Sequence, residues 1–185
     1  MALNPKSYCA FVRDLAADDL HRIYHDQQYG FALDSDDELF GRLILEINQA
    51  GLNWITILKK QENFRAAYAQ FSIAKVARFS EEDEAELLSN AGIIRNKLKV
   101  KAAIYNAQAI EGIQEEFGSF QKWLLSQDSL SLPEWVKLFK KHFKFTGPEI
   151  VNEFLMSTGF KEGAHDPECR HFPLAQETIS ELYKS

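Results

Sequence analysis

Apolar side chains recur at helical spacing along most of the chain, and the clearest example begins at Ser35. Ser35 and Glu38 have the spacing of a capping box, in which each side chain satisfies a free backbone N–H at the helix start. The spacing predicts an amphipathic helix over about 35–50, after which Gly51 lets the backbone turn. Its predicted inward face consists of Phe40, Leu43, Ile44, Ile47 and Gly51.

One acidic side chain borders this apolar face. Glu46 lies near the end of the predicted helix, and Trp54 follows just past the Gly51 turn. A carboxylate in such a place loses solvation unless a partner or a ligand meets it. Together with the broad face of a tryptophan, it suits a flat ring that is cationic or carries N–H groups. The ordinary alternative is a glutamate at the rim of the core and a core tryptophan. The helix row that contains the carboxylate is Leu39, Leu43, Glu46 and Ala50.

The same periodicity, with capping and stop signals, predicts helices in most of the remaining chain. For the longest helix we expect an inward face made of Leu98, Ala102, Tyr105, Ala109 and Ile113. The other predicted segments are 18–28, two short helices within 53–71, 80–92, 120–125, 134–142, 147–158 and 175–184, and the longest spans 94–117. No segment shows a convincing two-residue alternation. We therefore predict an all-α fold, with eight or more helices around one core and a single domain over residues 1–185.

Length and composition support this picture. The chain has 185 residues and is 45% hydrophobic, which suffices for one sizeable core. No apolar run approaches the roughly 20 residues needed to span a bilayer, and the first residues lack the apolar stretch of a signal peptide. We expect a soluble cytoplasmic protein in which the two cysteines, Cys9 and Cys169, are not joined by a disulfide.

The formal net charge of −6 gives no support for nucleic-acid binding by the chain as a whole. The positive side chains nevertheless cluster, so a locally basic face is compatible with the acidic total. Solvated helix faces are the ordinary alternative for each cluster. The clusters are Lys59, Lys60 and Arg65; Arg95, Lys97, Lys99 and Lys101; and Lys137, Lys140, Lys141 and Lys144.

One turn between two predicted helices stands out, at residues 141–148. Phe143 and Phe145 could anchor a hairpin, and Gly147 would expose backbone N–H groups at the start of the next helix. Such amides bind anions, and a DNA phosphate is one candidate, with Lys141 and Lys144 adding positive charge. An ordinary corner between two helices is the alternative.

Both cysteines of the chain lie near histidines. His165 and Cys169 are four residues apart, and the N-terminal part supplies Cys9 and His25. Thiolate and imidazole ligands suit zinc, so these four residues predict a structural zinc that joins the two ends of the chain. The alternative is two buried thiols and surface histidines. The histidines that compete for ligand positions are His21 and His171.

Taken together, these residues resemble the DNA-3-methyladenine glycosylase I family, a bacterial group of alkylation-repair enzymes. The resemblance spans nearly the whole chain, in order, and the motifs are jointly specific although each alone is weak. It is carried by Cys9, Tyr24-His25-Asp26, Tyr29-Gly30, Glu46, Gln49-Ala50-Gly51-Leu52, Trp54-Ile55-Thr56-Ile57-Leu58-Lys59-Lys60, Asn63-Phe64-Arg65, Ala91-Gly92-Ile93-Ile94-Arg95-Asn96, Phe143-Lys144-Phe145-Thr146-Gly147-Pro148, His165 and Cys169.

The resemblance implies a helix-hairpin-helix DNA glycosylase, which flips the damaged base out of the duplex into a pocket. It implies that Glu46 hydrogen-bonds the base edge, that Trp54 stacks on the ring and that Tyr24 lines the pocket. It further implies that the 143–148 turn is the hairpin that grips DNA phosphate, with Lys144 and Gly147 in contact. The implied ligands of a structural zinc are Cys9, His25, His165 and Cys169.

The sequence departs from the family pattern at several positions. Phe11 and Tyr29 stand where the family usually has tryptophan, and Asn53 replaces the serine of a usual Gly-Leu-Ser-Trp motif. These changes affect the pocket wall, where lesion range is set, and leave Glu46 and the four metal ligands intact. The remaining departures are Ile47-Asn48 in place of a glycine-bearing pair and Gly163-Ala164 in place of an Asn-Asp pair.

The implied reaction is hydrolysis of the N-glycosidic bond of 3-methyladenine in double-stranded DNA that carries alkylated adenine. A methylated, cationic base is a good leaving group, so selective binding of the flipped base with electrostatic support could suffice. No lysine is clearly placed as a Schiff-base nucleophile, so we expect a monofunctional enzyme that releases free 3-methyladenine. We expect a monomer that reaches the bacterial nucleoid through DNA and has no membrane partner.

Two other functions are compatible with parts of the sequence. The first is a DNA-binding protein of the same scaffold with altered or lost lesion specificity, which the departures at Phe11, Tyr29 and Asn53 leave open. The second is a helical protein–protein adaptor, which the predicted zinc and hairpin argue against. Release of free base from methylated DNA distinguishes the enzyme from both.

Overall fold

The computed structural model describes residues 4–127 and 129–184 and divides into two compact units. The first contains Met1–Leu33 and Asn152–Ser185, and the second contains Asp34–Val151. Within the described residues there are helices and no β-strand, which confirms the all-α prediction. The α-helices are α1 (Tyr8–Val12), α2 (Leu20–Gln27), α3 (Asp36–Gln49), α4 (Trp54–Leu58), α5 (Gln61–Ala67), α6 (Ile73–Val76), α7 (Glu81–Ser89), α8 (Lys97–Phe117), α9 (Phe120–Leu125), α10 (Leu132–His142), α11 (Pro148–Ser157) and α12 (Phe172–Leu182), and a 3-10 turn spans Ala69–Phe71. The single domain over 1–185 stays a prediction.

Capping residues start most helices near the predicted positions. Ser80 and Asp83 form a reciprocal capping box at the start of α7. The helix predicted from Ile94 begins instead after Asn96, whose side chain accepts the free N–H groups of the first turn. It ends at Gly118, which adopts the left-handed conformation that glycine tolerates best. The prediction did not include α1 and α6, which have five and four residues and are too short for a periodic signal.

The central helix α3 is buried on all sides, so the prediction of one inward face is wrong. Ten consecutive residues, from Leu39 to Asn48, are buried. Glu46 is therefore not a rim residue, since only 4% of it is exposed. The polar side chains of this stretch, Arg42, Glu46 and Asn48, are buried together with the apolar ones, whereas the three acidic residues of the first turn are not. At Gly51 the chain turns with a φ of +81°, as predicted.

The start of α3 is tied to a left-handed turn. The Ser35 hydroxyl accepts the Glu38 N–H at 3.3 Å, as expected. The Glu38 carboxylate, which we expected to complete a capping box, accepts two hydrogen bonds from Arg65 at 2.7 and 2.8 Å. The guanidinium also lies 4.9 Å from the ring centre of Phe71, the last of three consecutive residues with positive φ. A side chain at Gly41 would meet that ring at 2.4 Å, so glycine permits the close packing of turn and helix.

The inward face of α8 is not the predicted one. Leu98 and Tyr105 are 68% and 42% exposed, whereas Lys99 and Asn106 are buried. Two of the inward positions hold a lysine and an asparagine. A prediction based on apolar residues therefore selected a neighbouring row of the helix. The buried positions of this helix are Lys99, Val100, Ala102, Ala103, Asn106, Ala107, Ile110 and Ile113. In the part of the chain that the structure describes, no helix has the length and apolar character required to cross a membrane.

Candidate metal centre and base-binding residues

Four predicted ligands converge in the first unit. Cys9 is in α1, His25 is in the last turn of α2, and His165 and Cys169 lie in the loop that precedes α12. All four are buried, and their ligand atoms lie within 4.8 Å of one another. The sulfur of Cys9 is 3.3 Å from His25 Nε2, and the sulfur of Cys169 is 3.6 Å from His165 Nδ1. Tetrahedral zinc with ordinary bond lengths separates sulfur and nitrogen ligands by about 3.5 Å, so this group could hold a metal ion.

Hydrogen bonds fix the ligand atom that each imidazole presents. His165 donates its Nε2 hydrogen to the carbonyl oxygen of Tyr29 at 2.7 Å, which leaves Nδ1 facing the thiols. His25 donates its Nδ1 hydrogen to Asp26 at 2.8 Å, which leaves Nε2 facing them. Such outer bonds are the usual means of orienting metal-binding histidines. Sequence reasoning missed these outer partners; the Asp that directly follows His25 was the available signal.

A network around Asp26 strengthens this arrangement. Arg170 donates to the carboxylate at 2.5 Å, and His171 Nε2 lies 3.0 Å from it. Burial by itself raises the pKa of Asp26. Hydrogen bonds from His25 and Arg170 outweigh this effect and lower the pKa below its ordinary value. The carboxylate is therefore anionic and accepts hydrogen bonds. His171 thus contacts Asp26 rather than the sulfurs, and His21, the other competing ligand, lies 2.9 Å from the Tyr8 hydroxyl.

A glycine makes room for the C-terminal ligand loop. Gly30 has a φ of +78°, and a side chain there would meet Ala164 at 2.5 Å and the His165 ring at 3.2 Å. Its N–H donates to the Ser157 carbonyl at 2.9 Å. Helix α2, predicted over 18–28, ends at Gln27, three residues before Gly30. Gly30 lets His165 approach the carbonyl of the preceding residue.

The protonation states suit metal binding. Burial lowers the pKa of His25, and burial lowers the pKa of His165 to about 4, so both rings are neutral near pH 7. Neutral imidazole is the form that coordinates metal. Burial raises the pKa of the Cys9 thiol to about 12, so a metal ion must displace that proton when it binds. The Asp166 N–H donates to the Cys9 sulfur at 3.3 Å, a bond that favours the thiolate.

The predicted base-binding residues fall in both units. In the second, Glu46 is buried in α3 and Trp54 begins α4, where it is partly exposed rather than a core residue. In the first, Tyr24 and Tyr29 are buried with ring centres 5.7 Å apart, and Phe11 is 55% exposed. That these five side chains line one pocket stays a prediction.

The predicted hairpin lies between α10 and α11, in the second unit. Lys144 is exposed, with its Nζ 4.9 Å from the ring centre of Tyr105. Gly147 precedes Pro148, the first residue of α11, and has open space where a side chain would be. The first backbone N–H groups of a helix have no partner within the helix, and because Pro148 has no N–H, these groups here belong to the residues that follow it. Phe143 is buried as expected, whereas Phe145 is 37% exposed with a φ of +60°.

Fold and site together define an all-helical protein whose N- and C-terminal segments contribute one buried Cys2His2 group. A sequence model of the methyladenine glycosylase family matches residues 15–137. The chain belongs to this family. The resemblance that the motifs indicated is thereby confirmed.

Individual relatives agree with the family match. DNA-3-methyladenine glycosylase 1 of Escherichia coli (strain K12) is 38% identical over 168 residues, which cover 78% of this chain and 88% of that protein. DNA-3-methyladenine glycosylase of Haemophilus influenzae is 39% identical over 165 residues, or 79% and 89% of the two chains. A solved structure of 3-methyladenine DNA glycosylase I from Staphylococcus aureus, which addresses 3-methyladenine recognition, is similar with a TM-score of 0.78 and 31% identity, covering 88% of this chain and 95% of that one.

Proposed function

We propose that this protein hydrolyses the N-glycosidic bond of 3-methyladenine in alkylated DNA and releases the free base without cutting the strand. The observation that carries the proposal is the similarity to named DNA-3-methyladenine glycosylases over more than three quarters of the chain.

Glu46 is the proposed catalytic residue. Glu46 is buried in the last turn of α3, and burying a carboxylate costs solvation, so a functional reason for it is expected. A flipped 3-methyladenine offers a positive charge and N–H groups, both of which a carboxylate binds well. The methylated base already leaves easily, so selective binding and electrostatic support of the developing sugar cation would accelerate the reaction.

Trp54 is the proposed stacking residue, and Tyr24, Tyr29 and Phe11 are proposed to complete the pocket wall. Trp54 is partly exposed at the start of α4, three residues after the exposed Gly51. An aromatic face contributes about 1–3 kcal/mol when a base stacks on it. Tyrosine and phenylalanine in place of the usual tryptophans retain aromatic surface but reduce its area.

Lys144 and the backbone amides that follow Gly147 are proposed to bind DNA phosphate. Lys144 is exposed, and the space beside Gly147 is open. The turn lines a surface groove of about 440 Å³. Contacts of this kind set the register of the protein on the duplex and carry no sequence information, which suits an enzyme that must search DNA of any sequence for a lesion.

We further infer that Cys9, His25, His165 and Cys169 bind one structural zinc. Two thiolates and two neutral imidazoles are a typical zinc set, and four protein ligands leave no position for a reactive water. The bound ion would join the N-terminal and C-terminal segments of the first unit. It would supply stability to that unit and would take no part in bond cleavage.

The deciding experiment is incubation of the protein with DNA methylated by a chemical alkylating agent, followed by chromatography of the released bases. We expect free 3-methyladenine to appear, with the DNA strand left intact until the abasic sites are cleaved by heat or base. Duplex binding without any base release would instead favour the DNA-binding protein of altered function. A protein that neither binds duplex DNA nor releases base would exclude both of these functions.

A further inference from the structure

A buried lysine holds the end of the central helix. Lys99 in α8 is 4% exposed, and its ammonium donates to the backbone carbonyls of Asn48 at 2.9 Å and Ala50 at 2.7 Å. Carbonyls at the C-terminal end of a helix have no partner within the helix and carry partial negative charge. The ammonium satisfies two of them immediately before Gly51. It therefore fixes the point from which the chain turns from α3 toward Trp54.

A buried asparagine on the same helix holds the hairpin. The side-chain oxygen of Asn106 accepts the backbone N–H of Lys144 at 2.7 Å, and its side-chain nitrogen donates to the Lys144 carbonyl at 3.1 Å. Asn106 is fully buried. The next residue, Phe145, has a φ of +60°, a conformation that is strained for a side chain of its size. The paired amide bonds hold the turn against this strain.

The two side chains belong to one inward row of α8. Lys99 and Asn106 are seven residues apart, which corresponds to about two helical turns or roughly 10 Å along the axis. The Phe145 ring centre lies 5.6 Å from the Lys99 ammonium, so the hairpin also contacts the lysine that caps α3. An uninterrupted helix is rigid over this distance. The distance between the turn and the end of α3 is consequently set by the number of helical residues that separate Lys99 from Asn106.

We propose that Lys99 and Asn106 are positioning residues that hold the phosphate-binding turn in register with the helix that carries Glu46. The proposal rests on the proposed function, because the turn and Glu46 are assigned to phosphate and base there. With the four hydrogen bonds of these two side chains intact, a backbone phosphate bound at the turn places the flipped base at the depth of Glu46. Neither side chain contacts base or phosphate in this scheme.

Single-turnover base release at saturating enzyme distinguishes positioning from simple affinity. Asn106→Leu removes both amide bonds at similar volume. We expect it to weaken binding to undamaged duplex and also to slow base release about tenfold when all of the DNA is bound. A residue needed only for affinity would recover the full rate at saturation. Affinity for free 3-methyladenine should change by less than about twofold, because the hairpin does not form the base-binding site.

Lys99→Met keeps the apolar stem of the side chain and removes the ammonium. We expect base release at saturation to fall about tenfold or more, as is typical when charged hydrogen bonds are lost, while undamaged duplex is bound nearly as well. Lys101→Met and Gln108→Leu are matched controls on α8. The first removes an exposed lysine 3.9 Å from Glu84, and the second removes a side-chain amide that donates to the Ala77 carbonyl at 2.9 Å. Both should behave as the wild type.

Thermal unfolding establishes that each variant is folded, and should Lys99→Met fail to fold, the Asn106→Leu comparison decides alone. Base release at the control rate by folded Asn106→Leu at saturation would overturn the proposal. An affinity loss that saturating enzyme fully compensates would overturn it as well. Failure of the wild-type protein to release any base is a separate result, which rejects the proposed function itself.

Discussion

The Nε2 hydrogen of His165 is donated to the carbonyl oxygen of Tyr29 at 2.7 Å, across 136 residues of sequence. Because a carbonyl can only accept, this bond determines the tautomer of the imidazole and leaves its Nδ1 free to coordinate. The same contact brings the C-terminal ligand loop to the N-terminal segment. The geometry of the Cys2His2 group therefore depends on a backbone oxygen as well as on its four side chains.

Elemental analysis of protein purified without added metal should find about one zinc per chain, the content of one closed tetrahedral site. Cys169→Ser should lose the metal and unfold at a lower temperature, because the buried group is then incomplete. His142→Gln is the control, since His142 lies in the last turn of α10 and outside the four-ligand group. A metal-free wild type, or one whose thermal stability a strong chelator does not alter, would contradict this prediction.

Asp26→Asn should weaken zinc binding about 10- to 100-fold, the usual effect of removing an outer partner of a metal ligand. The change takes away the anion that accepts the His25 hydrogen and that Arg170 neutralises. Competition with a chromophoric zinc chelator measures the difference. Asp14→Asn provides the control, because Asp14 pairs with Arg13 at an exposed position. Equal affinities in the two variants would show that Asp26 does not orient the ligand.

Local signals predicted much of the fold, because helix starts depend on neighbouring residues. Ser80 with Asp83 is one example, and Ser35 before α3 is another. The inward face of α8 was mispredicted for the opposite reason. Lys99 and Asn106 are buried because carbonyls and a turn from distant segments satisfy them, and no local pattern reports such partners. The burial of α3 on all sides has the same origin.

The Cys2His2 group was predictable because few residue types bind zinc and all four of its residues belong to those types. Its outer partners were not, since the Tyr29 carbonyl carries no side-chain signal. The assignment of Glu46 depended on the family motif. The apolar spacing placed it only at a rim, whereas it is buried.

The Glu38–Arg65 ion pair should make stability depend on acid pH. Hydrogen bonds from Arg65 lower the pKa of Glu38, so the folded state favours the carboxylate more than the unfolded state does. The contribution is fully present above the ordinary glutamate pKa of about 4.3, and it is lost as the pH falls through the lower folded value. Glu38→Gln should therefore reduce the free energy of unfolding at pH 7 by about 0.5–1 kcal/mol, since the pair is partly exposed.

Urea unfolding of Glu38→Gln and wild type at several pH values measures this effect. The difference between them should shrink as the solution is acidified below the ordinary glutamate pKa. Glu81→Gln, which alters an exposed glutamate in the first turn of α7, controls for loss of a surface charge. A difference that is constant from neutral to strongly acidic pH would show that the ion pair is not its source.

Lys144→Ala should weaken binding to duplex DNA of any sequence by a similar factor. The log of affinity should still fall linearly with the log of salt concentration, with a slope about one unit smaller than that of the wild type if one phosphate contact is lost. Fluorescence anisotropy over a range of salt concentrations gives both quantities. Lys75→Ala removes an exposed lysine of α6 as a control. An unchanged slope for Lys144→Ala would exclude this lysine from phosphate binding.

Glu46→Gln tests the proposed base recognition most directly. The substitution keeps the shape of a buried side chain and removes its charge, so packing of α3 should be little altered. A charged hydrogen bond is worth roughly 1.5–3 kcal/mol, which corresponds to a loss of about 10- to 150-fold in affinity for free 3-methyladenine. Base release from methylated DNA should fall in parallel, while undamaged duplex should bind as before because the proposed phosphate contacts lie in the 143–148 turn. Calorimetry with the free base and chromatography of released bases measure the two effects, with Glu81→Gln as the charge control. Wild-type values for Glu46→Gln in both assays would remove this carboxylate from the site and with it the proposed mechanism.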